Sequence, residues 1–237
     1  MKRVLPAIVL IAGLAMTGCS GADSQNGQGE EAGNASQPAA EETPQLHPLD
    51  KDQLKQIIES TDVGGQSFKS VDMGDDAGSE AIKALESAEY EPAECKELSM
   101  TALNATTAHN GTTLAGTSAD KSVSVALMSL ADENAAGSQM KNPTKVADKC
   151  SEVTIKSQGI EMTMAYTTFD ATVAGADETV GLRAKIDAGG QTVLNTDTVT
   201  SRVGNNIVTA ANITDIGDEQ TVSKTTEAFV DALKNAG

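Results

Sequence analysis

From Asp50 to about Ser60, Leu54, Ile57 and Ile58 recur at helical spacing in an otherwise polar stretch. That stripe predicts a short amphipathic helix. Asp50 can cap its start, with Gln53 as the third residue of a capping box and Leu49 and Leu54 as the flanking apolar staple. A second helix is predicted from Ser79 to Ala88, with Ile82 and Leu85 on its buried side.

Beyond Cys95 the period changes from helical to two. Val123, Val125 and Leu127 alternate with Ser122, Ser124 and Ala126, and Ile160, Met162, Met164 and Tyr166 alternate with Glu161, Thr163, Ala165 and Thr167. Val180, Leu182, Ala184 and Ile186 follow the same rule, then a Gly189-Gly190 turn, a segment Thr198 to Val203, a Gly204-Asn205-Asn206 turn, and Ile207 to Ile213. These are half-buried strands, and tight turns between neighbours require antiparallel pairing. Asp132 to Lys149 is Ala-rich and reads as one or two helical pieces, with Asn142 as a cap and Pro143 at a first helical position. Val222, Phe229, Val230 and Leu233 share a face, so Thr221 to Asn235 reads as a closing helix. The expected class is α+β: an antiparallel sheet of about five or six strands, covered on one face by the N-terminal and C-terminal helices.

The first residues read differently. Lys2 and Arg3 precede a 13-residue apolar run, Val4 to Met16, too short for an ordinary membrane span and suited to a signal peptide. The run ends in Leu14-Ala15-Met16-Thr17-Gly18-Cys19, which resembles a bacterial lipobox. That resemblance implies cleavage after Gly18, a diacylglycerol on the Cys19 thiol, and residues 1–18 absent from the mature protein. Each buried acyl CH₂ contributes ~0.8 kcal/mol, so two or three chains hold a protein on a membrane without a spanning helix. Residues 19–47 would then be a lipidated tether. Ser20 to His47 is rich in Ser, Gly, Ala, Gln, Asn and Glu, has no Lys or Arg, and lacks apolar periodicity. A flexible chain of that length reaches roughly 30 Å. Residues 48–237 are expected to form a single extracytoplasmic domain.

Charge and composition narrow the partners. The formal net charge of the 237-residue chain is -17, and it becomes -19 when Lys2 and Arg3 are lost. Trp is absent, and the aromatics are Phe68, Tyr90, Tyr166, Phe169 and Phe229. Nucleic acid needs cationic phosphate contacts and stacking platforms, so it is excluded as a partner, and carbohydrate recognition through aromatic faces is disfavoured.

With Cys19 assigned to lipid, Cys95 and Cys150 remain, and an oxidising compartment would pair them. Closing a loop of that length restricts the unfolded chain by roughly 4 kcal/mol in the entropy model. The alternative, a reactive cysteine or metal thiolate, needs a nearby base or more ligands, and only His47 and His109 are present. The order of an early Leu-containing helix, Pro92-Ala93-Glu94-Cys95, an alternating strand, an Ala-rich helix leading to Cys150, paired strands and a closing helix resembles the extracellular sensor domain of mycobacterial PknH-type serine/threonine kinases. Related domains occur as actinobacterial lipoproteins. The resemblance spans about Leu49 to Gly237 and implies a sheet with helices and a cleft for an external ligand. Those domains carry a second disulfide and a Trp near a Cys, which this chain lacks.

Four patterns along the chain bear on chemistry. Ser118-Ala119-Asp120-Lys121 has the Ser-x-x-Lys spacing of penicillin-binding enzymes, but the companion Ser-Asp-Asn and Lys-Thr-Gly elements are missing and the segment leads into a strand. His109 lies in a turn-like stretch without a Gly-x-Ser-x-Gly elbow. Asp72, Asp75, Asp76 and Glu80 form an acidic loop without calcium-loop spacing. Met100, Met128, Met140, Met162 and Met164 either replace missing aromatics in the core or line an adaptable apolar pocket. The resulting expectation is a noncatalytic lipoprotein without a cofactor or metal. Its partners are a membrane through the lipid anchor, and a small apolar ligand or an envelope protein. The alternatives are a lipid carrier with a cavity between sheet and helices, or a structural adaptor.

Overall fold

The computed structural model describes residues 48–71, 83–100, 111–157, 159–213 and 219–236. The signal segment, Cys19, the tether, Asp72, Asp75, Asp76, Glu80, His109 and the first residues of the second expected helix lie outside the described residues.

The helices are α1 (Lys51–Ser60), α2 (residues 83–87), α3 (residues 94–100), α4 (Glu133–Lys149) and α5 (Glu219–Ala236). The strands are β1 (Asp62–Val63), β2 (Gln66–Val71), β3 (Glu89–Glu91), β4 (Thr112–Ser118), β5 (Val123–Ser129), β6 (Glu152–Ser157), β7 (Ile160–Phe169), β8 (Glu178–Ala188), β9 (Gln191–Val203) and β10 (Asn206–Asn212). They form one antiparallel sheet in the order β1-β2-β4-β5-β10-β9-β8-β7-β6-β3. The sheet therefore has ten strands rather than five or six. The additional ones are either very short, as β1 and β3 are, or carry about two apolar residues in an otherwise polar or small stretch, as β2, β4 and β6 do.

The capping box on α1 forms as expected. The Asp50 carboxylate accepts from the Gln53 amide at 2.9 Å, and the Gln53 side chain accepts from the Asp50 amide at 2.9 Å. Leu54, Ile57 and Ile58 of α1, with Val222, Phe229, Val230 and Leu233 of α5, pack on Phe68, Leu114, Val125, Leu127, Val199 and Val208. Phe68 and Phe229 meet edge to face at 5.1 Å between ring centroids. Gly116 lets α1 sit this close, because a Cβ there would lie 2.6 Å from Ile58 Cγ2 and 3.2 Å from Val125 Cγ1.

The expectation of a sheet covered on one face also needs correction. The register places Met128, Ile207 and Val180 on the face opposite Leu127 and Val208, and there they pack with Met140, Ala136 and Leu130. Farther along that second face, Val153, Ile155, Met164 and Tyr166 pack with Val146, Leu98 and the Cys95–Cys150 bridge. One helix, α4, serves both clusters. It is not divided at Asn142: Asp132 is its N-cap, accepting from the Ala135 amide at 2.8 Å, and Pro143 lies inside it. Pro143 removes one backbone bond, but Met140 before it and Val146 after it both seat against the sheet, and that burial outweighs the loss.

The turn at the end of β9 carries Gly204 with φ 57° at the first central position, the type II′ requirement. Asn205 follows and clamps the start of α4 to the sheet: its side chain donates to the Leu130 carbonyl at 2.7 Å, and its carbonyl accepts from the Leu130 amide at 3.0 Å.

Two glycines should respond oppositely to the same methyl group. Gly116→Ala is expected to lower stability by about 2 kcal/mol through overpacking against Ile58. Gly137→Ala in α4, where nothing lies within 4 Å of the added carbon, is expected to raise it by about 1 kcal/mol through helix propensity. Urea unfolding midpoints check both, and shifts of the same sign would contradict this packing.

Candidate functional site

The Ser-x-x-Lys segment is a hairpin turn joining β4 to β5. Ser118 is 1% exposed; its hydroxyl donates to Asp120 Oδ1 at 2.6 Å and accepts from the Val123 amide at 3.0 Å. Asp120 Oδ1 also accepts from the Ser122 amide and hydroxyl, and Asp120 Oδ2 accepts from Gln66 Nε2 at 2.7 Å. The Ser118 hydroxyl first, then the Ser122 amide and hydroxyl, hold the Asp120 carboxyl well below the usual carboxylate range. Lys121 stands exposed at the tip with φ 62°, its amide bonded to the Ser118 carbonyl. Spacing that on a helix would aim a lysine at a serine here builds a turn. The serine's donor and acceptor are both engaged in that turn.

The methionines divide. Met128 and Met140 are buried in the cluster under α4. Met162 and Met164 are half-buried on β7, and Met100 is half-buried at the end of α3. Register aligns Met162 with Ile155, Met164 with Val153 and Ile186, and Tyr166 with Ala184, so these side chains share the second face. The Tyr166 hydroxyl donates to Met164 Sδ at 3.4 Å. On the first face Leu54, Ile58, Leu127, Val199, Val208, Val222, Phe229 and Val230 retain no accessible surface. A side chain lining a cavity wide enough for an acyl chain keeps some, so the layer under α1 and α5 is a filled core.

A polar cluster on the first face went unread in the sequence. Arg183 of β8 donates from Nε to Asp197 Oδ1 at 2.6 Å and from a terminal nitrogen to Glu219 at 2.6 Å, with its guanidinium 5.7 Å from the Phe169 ring centre. The Asp197 side chain is 1% exposed, and its second oxygen is buried without a hydrogen-bond partner. Asn212 Oδ1 accepts from the Asp197 amide at 2.7 Å. Asp197 first, with a smaller contribution from Glu219, pushes the Arg183 guanidinium above its already high value. The network ties the first turn of α5 to β8 and β9. Both carboxylates face the one guanidinium, so the cluster keeps one net negative charge. Its sequence signal was the alternation of Arg183 and Lys185 with apolar neighbours, which marks that face of β8 as polar but does not reveal Asp197 as the partner.

Among the described residues no three or more of His, Cys, Asp and Glu come together to hold a metal ion. No helix there is long and apolar enough to cross a membrane.

Cys95 and Cys150 form a disulfide with Cα atoms 5.7 Å apart, linking α3 to the C-cap of α4. No family model and no curated protein matches the chain. Among solved structures it is similar to the extracellular domain of PknH from Mycobacterium tuberculosis, at 13% identity over 79% of this chain and 93% of that one, with a TM-score of 0.42. It is also similar to an uncharacterized protein from Mycobacterium smegmatis, at 17% identity over 63% of this chain and 77% of that one, with a TM-score of 0.38.

Both tyrosines lie in the cluster around the bridge. Burial, and then the charge of Tyr90, pushes the Tyr166 phenol up to about 12, and burial also raises Tyr90. The folded state thus holds the protonated phenol of Tyr166, while the unfolded chain ionises near ~10. That preference stabilises the fold fully below pH ~10 and is lost as pH climbs to about 12. With no Trp to overlap, tyrosinate absorbance should rise late while circular dichroism still reports a folded chain. A single wave near ~10 from a folded protein would contradict the burial of Tyr166.

Proposed function

We propose that this chain is an exported lipoprotein, anchored through acylated Cys19, that presents a noncatalytic α+β domain on a tether to bind an extracytoplasmic ligand or envelope partner. The observation that carries the reading is the Cys95–Cys150 bridge. Both sulfurs are buried, at 0% and 2% exposure, inside an apolar cluster that they help to build. Such a structural disulfide belongs to an oxidising compartment, which is where the Leu14-Ala15-Met16-Thr17-Gly18-Cys19 signal would send the chain.

A noncatalytic role is favoured by Ser118, whose hydroxyl is engaged in a turn. Of the rival readings, a lipid carrier with its cavity under the terminal helices is disfavoured by the filled layer beneath α1 and α5. Binding is then better assigned to a surface. The tether would meet the domain at Leu49, whose amide donates to the buried Ser129 hydroxyl at 2.8 Å, so the described domain is held to its sheet from its first residues.

Mass spectrometry of the native protein tests the anchor. The expected species begins at Cys19 and carries a diacylglycerol, together with a mass two hydrogens short of a dithiol. A mature chain that is unacylated, or that retains residues 1–18, would overturn the proposal.

A further inference from the structure

Among the described residues the large apolar side chains most open to solvent are Val193, Ile160 and Val71, at 51%, 47% and 37%. A single exposed aliphatic residue is ordinary. Ile160 and Val193, however, stand at one end of the sheet, where the β6–β7 and β8–β9 hairpins turn. Ile160 opens β7 on the same face as Met162, two residues on. Met162 lies opposite Ala188, and Ile186 opposite Leu194, and all four are half-buried. Val193 is the extra residue of a β-bulge, since Asp187 pairs with Thr192 and Ile186 with Leu194. Bulges re-aim a side chain and are over-represented beside functional sites. Gly159, Gly189 and Gly190 turn the hairpins with positive φ, and nothing lies within 4 Å of a carbon added to any of them. The apolar stripe is therefore approachable from the hairpin tips.

Charge and position decide what kind of partner fits. Lys156 pairs with Glu161 at 3.4 Å and with Glu91 at 3.7 Å, and Lys185 pairs with Asp187 at 3.0 Å. Two lysines thus meet three carboxylates, a set with no cationic excess to hold anionic lipid headgroups. A second copy of the chain brings the same formal charge of -17, which opposes self-association. The chain before residue 48 arrives at the other end of the sheet, where Leu49 bonds to Ser129, the last residue of β5, and Ser129 pairs with Asn206, the first of β10. β9 runs the length between the two ends, and its 13 residues span roughly 40 Å. A tether that joins Leu49 to a membrane leaves the hairpin end facing outward.

We propose that Ile160, Met162, Ile186, Ala188, Val193 and Leu194 form a docking surface for an extracytoplasmic protein that meets them with apolar side chains inside a neutral or basic rim. The proposal rests on the anchored reading above and names the surface through which that domain binds.

Photocrosslinking in intact cells tests this, with the full chain carrying a benzophenone amino acid in place of Ile160, of Val193 or, as a control, of the exposed Lys55 on α1. The expected result is one protein, other than this chain, joined at both 160 and 193 and not at 55. Ile160→Lys should cut the adduct formed at 193 at least about tenfold, while the urea midpoint stays unchanged because the side chain is exposed. Lipid adducts, adducts between two copies of this chain, or equal yields at all three positions would overturn the docking surface. Mass spectrometry of the uncrosslinked chain from the same cells reads the anchor separately. Acylated Cys19 without the protein adduct sinks the surface alone, whereas the adduct on an unacylated chain sinks the anchor alone.

Discussion

The edge-to-face meeting of Phe68 and Phe229 stands where the two ends of the described chain are brought together on one face of the sheet. With five aromatic residues in 237, the protein has few large side chains to spend, and it places two of its three phenylalanines here. Around them lie Leu54, Ile58, Val222 and Val230, each fully buried. The consequence is topological. α1 and α5 are contributed by opposite ends of the domain, so this layer closes only when the intervening strands are in register. Non-local closure of that kind costs loop entropy before its contacts form, which slows folding.

The opposite face is built from poorer material. Ala135, Ala136, Met128 and Met140 join Leu130 and Ile207 in one cluster, and Ala88, Val153, Ile155 and the half-cystines join Tyr90 in another, neither of which contains a Phe. Small and flexible side chains bury less area per residue and specify position less sharply than Phe or Leu. There the protein adds other constraints: the Asp132 cap, the paired Asn205 to Leu130 bonds, and a covalent link between α3 and α4. The division also explains the sheet's polarity pattern. Under α1 and α5 the first face is apolar. Beyond Asp197 and Arg183 that same face turns to Thr163, Thr167, Thr154 and Lys156, with no helix above them among the described residues, while the apolar positions of β6, β7 and β8 point to the other side.

Legibility in the sequence followed the length and strength of each pattern. α1 was fully readable because capping box, staple and stripe agree over ten residues, and α5 because four apolar positions repeat over four turns. β5, β7, β8 and β10 alternate strongly enough to be placed within a few residues. β9 was read only from Thr198, since Gln191 to Asp197 shows no alternation and owes its extension to pairing with β8 across a bulge. β6 does alternate, but with only Val153 and Ile155 inward, directly after a helix. Pro143 suggested a helix start because local chemistry favours it there. Seating on both sides of it decided otherwise. The pairing of Cys95 with Cys150 followed from thiol arithmetic, whereas the Arg183–Asp197–Glu219 network depends on which residues β8, β9 and α5 bring together, and no single stretch of sequence carries that information.

The borders of the sheet have a consequence for strand addition by another chain. An open sheet this wide presents two margins where another chain could add a strand, yet both are closed by fragments. β1 is two residues long and begins with Asp62; β3 is three residues long, flanks Tyr90 with Glu89 and Glu91, and is followed at once by Pro92. Like charges facing each other across a would-be seam, over a span too short to zip, deny neighbouring copies a template for polymerising. Both margins of the sheet are therefore poor templates for strand addition by a second chain.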